Sequence, residues 1–165
     1  MRNKFYLLAV LILFLDHLTK WWIRSSFALH QSYEIIPGYL RLIRVHNTGV
    51  AFGLFADFQS AWKPYVLGLM AVIAVVVIVI YSGRMPSKRI LLQLALAVTM
   101  GGILGNFIDR IVHGFVVDFI ELHIHDSFYW PTFNVADSAI TVGIALLLVD
   151  TVKNPEEQPA PSVQN

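Results

Sequence analysis

Between Tyr65 and Tyr81 the chain runs for seventeen residues without a charge, with LMAVIAVVVIVIY making up most of the stretch. A run that long and apolar is at home in the hydrocarbon of a bilayer, where a helix satisfies every backbone polar group within itself. Everything else in the chain has to be compatible with that surrounding. The composition agrees, since 56% of the 165 residues are hydrophobic and the mean hydropathy is +0.63, unlike a water-soluble globule. Twelve Lys and Arg against eleven Asp and Glu leave no bulk charge for nucleic acid or another charged polymer to recognise. The absence of cysteine removes thiol nucleophiles, disulfides and cysteine-based metal sites together.

Three further spans follow from the pattern. Phe5 to Ile23 is nineteen residues, about 28 Å as a helix. Its Met1-Arg2-Asn3-Lys4 start resembles a secretory signal peptide, but no small-residue cleavage site follows and the apolar pattern resumes through Leu18, Trp21, Trp22 and Ile23. Asp16 and Lys20 lie four apart in this helix, on one face, in the order that favours pairing. That pair reads either as structural and turned toward protein, or as positioning an active site. Ile90 to Phe107 forms a third span, thinned on one side by Gly101, Gly102 and Gly105. The last apolar run, Ala139 to Val149, has only eleven residues, about 16 Å and too short to cross. Extension to 134–152 supplies the missing length and draws Asp137 to the membrane boundary, with Asn134 as the helix cap.

The expected fold is an all-α integral membrane protein with four transmembrane helices, at about 5–23, 65–81, 90–107 and 134–152, and a small extracytoplasmic β-sheet. Loops 24–64 and 108–133 hold the sheet. Tyr39 to Val45 reads as a strand opened by Pro37-Gly38 and ended by His46-Asn47-Thr48-Gly49, and Gly49 to Phe55 as a second strand or a loop. Residues 154–165, rich in Pro, Glu and Gln, are expected to be a disordered tail. Basic residues divide six and six between the two sides. Their density in the short 82–89 turn places that turn, and with it both termini, in the cytoplasm.

The acids of residues 105–140 carry the candidate chemistry. Carboxylates beside a lipid phase are expensive enough that function is the default explanation. Asp118 lies in an extended, β-rich segment and Asp137 opens the last helix. Two carboxyls brought together share a proton and can hold a water between them, one acting as base and the other as proton donor. Spacing alone leaves the bland accounts open, with Asp137 as a plain helix-start acid and Asp118 as a turn acid paired with Arg110 or Lys20. Asn106, Asp109 and Arg110 share one face of the third helix, either as site residues or as its polar end. His123-Ile124-His125, with His113, Glu121 or Asp126, offers a rival zinc chemistry, although no helical HExxH pattern is present. Ion or proton transport is a second rival. Ser138 with Lys20 is a third, and it leaves Asp118 unexplained.

Five blocks, met in order along the chain, resemble those of the bacterial lipoprotein signal peptidases, the signal peptidase II family of intramembrane aspartic peptidases. They are Leu15-Asp16-His17-Leu18-Thr19-Lys20, Asn47-Thr48-Gly49-Val50-Ala51-Phe52-Gly53, Gly101 to Arg110, Val117-Asp118-Phe119, and Phe133-Asn134-Val135-Ala136-Asp137-Ser138-Ala139. The resemblance implies that Asp118 and Asp137 are the catalytic pair. It implies that Asn47, Asn106, Asp109, Arg110 and Asn134 line the site, and that Asp16 and Lys20 support fold or substrate. It further implies an enzyme of the bacterial inner membrane, active as a monomer near the outer leaflet, that uses no metal or cofactor. Its substrate would be a diacylglyceryl-modified prolipoprotein cut just before the lipidated cysteine, and globomycin-like cyclic peptides would inhibit it. Residues 24–64 are expected to close over peptide and lipid.

Overall fold

A computed structural model describes residues 2–49, 62–125 and 127–154. The expected strand or loop at Gly49 to Phe55 lies, but for Gly49, outside the described residues, as do Asp126 and residues 155–165 of the tail. Four helices are long and apolar enough to cross a membrane: α1 (Arg2–Ser26), α2 (Lys63–Arg84), α3 (Ile90–His113) and α4 (Val135–Lys153). Four strands, β1 (Ser32–Ile36), β2 (Leu40–Asn47), β3 (Val116–Ile124) and β4 (Phe128–Tyr129), follow one another across an antiparallel sheet. The all-α membrane architecture with a small sheet is therefore as expected.

The helix ends differ from the hydropathy reading in one instructive place. α3 runs six residues past Phe107, to His113, and stops at Gly114, which takes a left-handed conformation (φ 77°) that a side chain would resist. The apolar run ends where polar side chains turn inward, not where the helix ends. Asp109 sits on the buried face of that extension, one turn beyond the buried Asn106.

α3 is the axis of the bundle, with α1, α2 and α4 packed around it. Its glycines allow close approaches. A Cβ on Gly101 would lie 2.8 Å from the Ala9 carbonyl of α1, one on Gly102 would strike the Ala136 carbonyl of α4, and one on Gly105 would come within 2.5 Å of Asp16 Oδ2. Large apolar side chains such as Leu7, Leu69, Val77 and Leu148 cover the outer faces and are exposed, as lipid-facing residues are.

The sheet docks on one end of this bundle, where Ile23 of α1 packs with Val117 and Phe119 of β3. The β2–β3 register slips by one residue between Leu42 and Val45. Such a bulge changes which face a strand's side chains occupy. Arg41 therefore pairs with Glu121 (2.5 Å) on one face, while Asn47 reaches Asp118 on the other. Arg44, at the bulge, donates to the carbonyls of Arg24 and Phe27 at the end of α1 (3.1 and 3.0 Å) and to His46 Nε2. Burial, then the charge of Arg44, lowers the pKa of His46, which keeps the ring a neutral acceptor.

Gly105→Ala places a methyl against a buried carboxylate, whereas Gly83→Ala, with nothing within 4 Å, adds helix propensity in open space. Thermal unfolding in detergent is expected to show Gly105→Ala destabilised by about 1–3 kcal/mol and Gly83→Ala unchanged or slightly stabilised.

Candidate active site

Lys20, fully buried in α1, sets the geometry. Its Nζ lies 2.7 Å from Asp16 Oδ2, one turn back in α1, and 3.1 Å from Asp109 Oδ2 of α3, and it donates to Asn106 Oδ1 at 2.9 Å. Each of the two acids in turn holds a backbone N–H. Asp16 Oδ1 accepts from Ala136 N (2.9 Å) and Asp109 Oδ2 accepts from Val117 N (3.2 Å). Ala136 precedes Asp137 and Val117 precedes Asp118. One buried ammonium therefore fixes, through two carboxylates, the main chain next to both candidate acids.

Three asparagines then aim donors at those acids, and each is oriented by a group able only to donate. Lys20 Nζ occupies the Asn106 oxygen, so the Asn106 amide nitrogen faces Asp137 Oδ1 at 2.7 Å. The backbone N–H of Asp137 occupies the Asn134 oxygen (2.9 Å), so Asn134 Nδ2 faces Asp118 Oδ1 at 2.7 Å. The backbone N–H of Gly49 occupies the Asn47 oxygen (2.7 Å), so Asn47 Nδ2 faces Asp118 Oδ2 at 2.8 Å. Asp137 Oδ2 accepts from the backbone N–H of Asn134 (3.2 Å), completing a capping box at the start of α4. Asn134 thus touches both candidate acids, which are brought together across a single residue.

The two acids differ in setting. Asp118 is buried in β3, and desolvation first, the neighbouring charge of Asp137 second, push its carboxyl up to about 7 against the pull of Asn47 and Asn134. Asp137 is half-buried and opens onto a groove of about 310 Å³ lined by Leu122, Trp130, Phe133, Ser138, Thr141 and Val142. One candidate acid is thus enclosed by protein while the other faces an apolar groove.

The remaining candidates fall into place around this pair. Arg110 is set beside the acids but donates to the carbonyls of Asn106 (3.2 Å) and Gly49 (2.9 Å), so it holds the end of β2 and does not pair with Asp118. The two histidines of the His-x-His stretch engage different neighbours. His123 lies 3.3 Å from Glu34 and stacks on Tyr129, while His125 follows the strand with φ 45° and sits against Gly38 and Tyr39. Among the described residues no three His, Cys, Asp or Glu side chains converge as a metal set. Ser138 donates to the Asn134 carbonyl and is not among Lys20's three partners. Missing from the sequence reading were the Asp109–Lys20 contact, the backbone partners Val117 and Ala136, and the groove residues Leu122 and Trp130. All but the groove residues join positions distant in the chain, for which no local pattern exists.

Fold and site together define a multi-pass membrane protein with acids gathered where α4 begins, one buried and one half-buried. Residues 8–153 match the family described as signal peptidase (SPase) II. The lipoprotein signal peptidase of Pseudomonas putida is 39% identical over 92% of this chain and 88% of its own. That of Symbiobacterium thermophilum is 42% identical over 88% and 91%. A bacterial membrane enzyme solved by the in meso method at 2.3 Å superposes with a TM-score of 0.82, at 29% identity, covering 98% of this chain and 95% of that one. The chain belongs to the signal peptidase II family and is a membrane-embedded peptidase.

Replacing Lys20 by Met leaves Asp16 and Asp109 buried without their cation, a loss expected to cost about 3–5 kcal/mol in thermal unfolding. Addition of Asp109→Asn should recover part of it. Asp118 supplies a pH signature. Between about 4 and 7 the folded chain retains a proton on Asp118 that the unfolded chain, with its carboxyl near 3.8, releases. Stability therefore falls as pH rises through that window, and Asp118→Asn should flatten the slope there whatever its constant offset, as read from melting temperatures across pH.

Proposed function

We propose that this chain is an intramembrane aspartic endopeptidase that removes signal peptides from diacylglyceryl-modified prolipoproteins, cutting just before the lipidated cysteine. Asp118 and Asp137 are its catalytic pair. The observation that carries the reading is the set of committed amides: Asn47, Asn106 and Asn134 each have the carbonyl oxygen occupied by a donor and the nitrogen aimed at one of the two acids. A plain helix-start acid and a plain turn acid need no such arrangement. The lipoprotein substrate is supported by the names of the curated relatives.

In this mechanism the pair shares one proton, and a carboxyl near 7 at Asp118 supplies it at neutral pH. A water held between the acids attacks the scissile carbonyl carbon. The ionised carboxylate takes the water's proton while the protonated partner gives its own to the carbonyl oxygen, forming a neutral gem-diol. Collapse breaks the C–N bond: the protonated acid gives its proton to the leaving nitrogen while the ionised carboxylate takes one from a gem-diol hydroxyl, so the new carboxylic acid forms and the shared-proton state returns. The amide donors hold both carboxyls so that little reorganisation accompanies the step. Asp16, Lys20 and Asp109 position the backbone, and Arg110 anchors Gly49 at the edge of the site.

The placement fits a lipidated substrate. α4 has nineteen residues, about 28 Å and barely a span, so the first turn that bears Asp137 lies at the membrane boundary. Acyl chains stay in the lipid while the bond beside them meets the acids. We assign the enzyme to the bacterial inner membrane as a monomer, termini in the cytoplasm and site at the outer leaflet, open to globomycin-like cyclic peptides. No metal takes part in this reading.

Cleavage of a purified diacylglyceryl prolipoprotein is the test. Asp118→Asn and Asp137→Asn are each expected to lower the rate by about 10³-fold or more while melting cooperatively, and chelators should leave the wild type unchanged. Retained cleavage in either variant removes that residue from the mechanism, and loss on chelation transfers the chemistry to a metal.

A further inference from the structure

At the end of the bundle remote from the aspartates, α2 and α4 both lean on α3 and hardly on each other. A cleft of about 530 Å³ opens between them, with Tyr81, Leu92 and Leu147 as apolar walls and Arg89, Asp150 and Thr151 at its polar end. Its shape is held from both sides. Ser82 of α2 and Gln93 of α3 exchange two buried hydrogen bonds (2.6 and 3.1 Å), and Arg89 binds the buried Asp150 of α4 at 2.7 Å. Asn154 closes the polar end, its side-chain amide donating to Asp150 Oδ1 (3.1 Å) and its backbone carbonyl accepting from Arg89 Nη2 (3.3 Å).

Among the described residues the charge at this end is mostly positive. Arg84 ends α2, Lys88 and Arg89 lead into α3, and Lys153 ends α4. Asp150 is the one acid among the described residues lining the cleft, and Arg89 already neutralises it. Arg84, Lys88 and Lys153 are exposed and make no ion pair among the described residues. The first turn of α3 has neither an acid nor a side-chain cap, which adds the positive field of a helix start. None of the candidate site residues lies here, so the proposed cleavage leaves this cleft unexplained.

We propose that the cleft seats one anionic phospholipid, an acyl chain lying between α2 and α4 along Leu92 and Leu147 and the phosphodiester headgroup held by Arg84, Lys88, Arg89 and Lys153. The apolar walls alone would accept any lipid. The cations select a net negative headgroup over a zwitterionic one, whose own ammonium they repel. Arg89 orients the site because its fork is fixed by Asp150, while the exposed cations supply the attraction.

The full chain, purified in a neutral detergent, is examined by native mass spectrometry and thermal unfolding with phosphatidylglycerol or phosphatidylcholine added. One phosphatidylglycerol should remain bound where phosphatidylcholine is lost, and only the former should raise the melting temperature. Arg84→Gln with Lys88→Gln, both exposed and without side-chain partners among the described residues, should lower the preference by about tenfold or more. Leu147→Trp, which fills the apolar wall and keeps every charge, should weaken retention of both lipids. Equal retention of the two lipids by the wild type, or an unchanged preference in the double variant, overturns the proposal. So does competition by sn-glycerol 3-phosphate at a concentration equal to that of the lipid, which would make the site a phosphate site and not a lipid site.

Discussion

A single ammonium group, removed from water and set between two carboxylates, is the constraint on which the rest of this molecule depends. Each ion carries a desolvation cost of several kcal/mol, recovered only when geometry and hydrogen bonding are nearly complete. Lys20 meets that condition with two acids and an amide oxygen. Asp16 Oδ1 and Asp109 Oδ2 accept backbone N–H groups of α4 and β3, and Asp109 Oδ1 faces His113 Nδ1 at 3.6 Å. Such a cluster does not tolerate small displacements, so its rigidity is passed to the neighbouring residues. The glycines of α3 belong to the same arrangement, because only a missing side chain at Gly105 leaves room for Asp16.

The sheet is the second requirement. A carboxyl carried by a membrane helix, like Asp137, can be held by its own helix start, but its partner has to approach from outside the bundle. β3 delivers Asp118, and the bulge in β2 turns Asn47 toward it while leaving the Arg41–Glu121 pair on the opposite face. A regular strand would satisfy one of these pairings and misdirect the other. The irregularity thus serves the site directly and also brings Arg44 onto the end of α1.

How far all this can be read from residues alone depends on the distance over which each interaction acts. The spans were legible because hydrophobicity is a local property summed over a window, and the Asp16–Lys20 pair because four residues of helix make one turn. The Asn134–Asp137 cap was legible for the same reason. The end of α3 was misplaced at Phe107 because the criterion was polarity, and Asp109 is polar for the benefit of a lysine eighty-nine positions earlier. The assembly of Lys20, Asp109 and Asn106 left no trace in any window. The five matched blocks pointed to the residues without revealing who holds whom. The orientations of the asparagine amides are legible only when the donor on each oxygen is known.

Among the described residues, the hydrogen bond of greatest reach joins Asp16 to Ala136, 120 positions apart. During synthesis the first helix emerges with its acid and its lysine well before β3 exists, and α4 leaves the ribosome after the other three spans. Until α4 inserts, Asp118 has neither its Asn134 amide nor its neighbouring carboxyl. A nascent chain therefore carries its acids unassembled while its own apolar segments lie unpaired in the membrane, and the cluster closes only when α4 arrives.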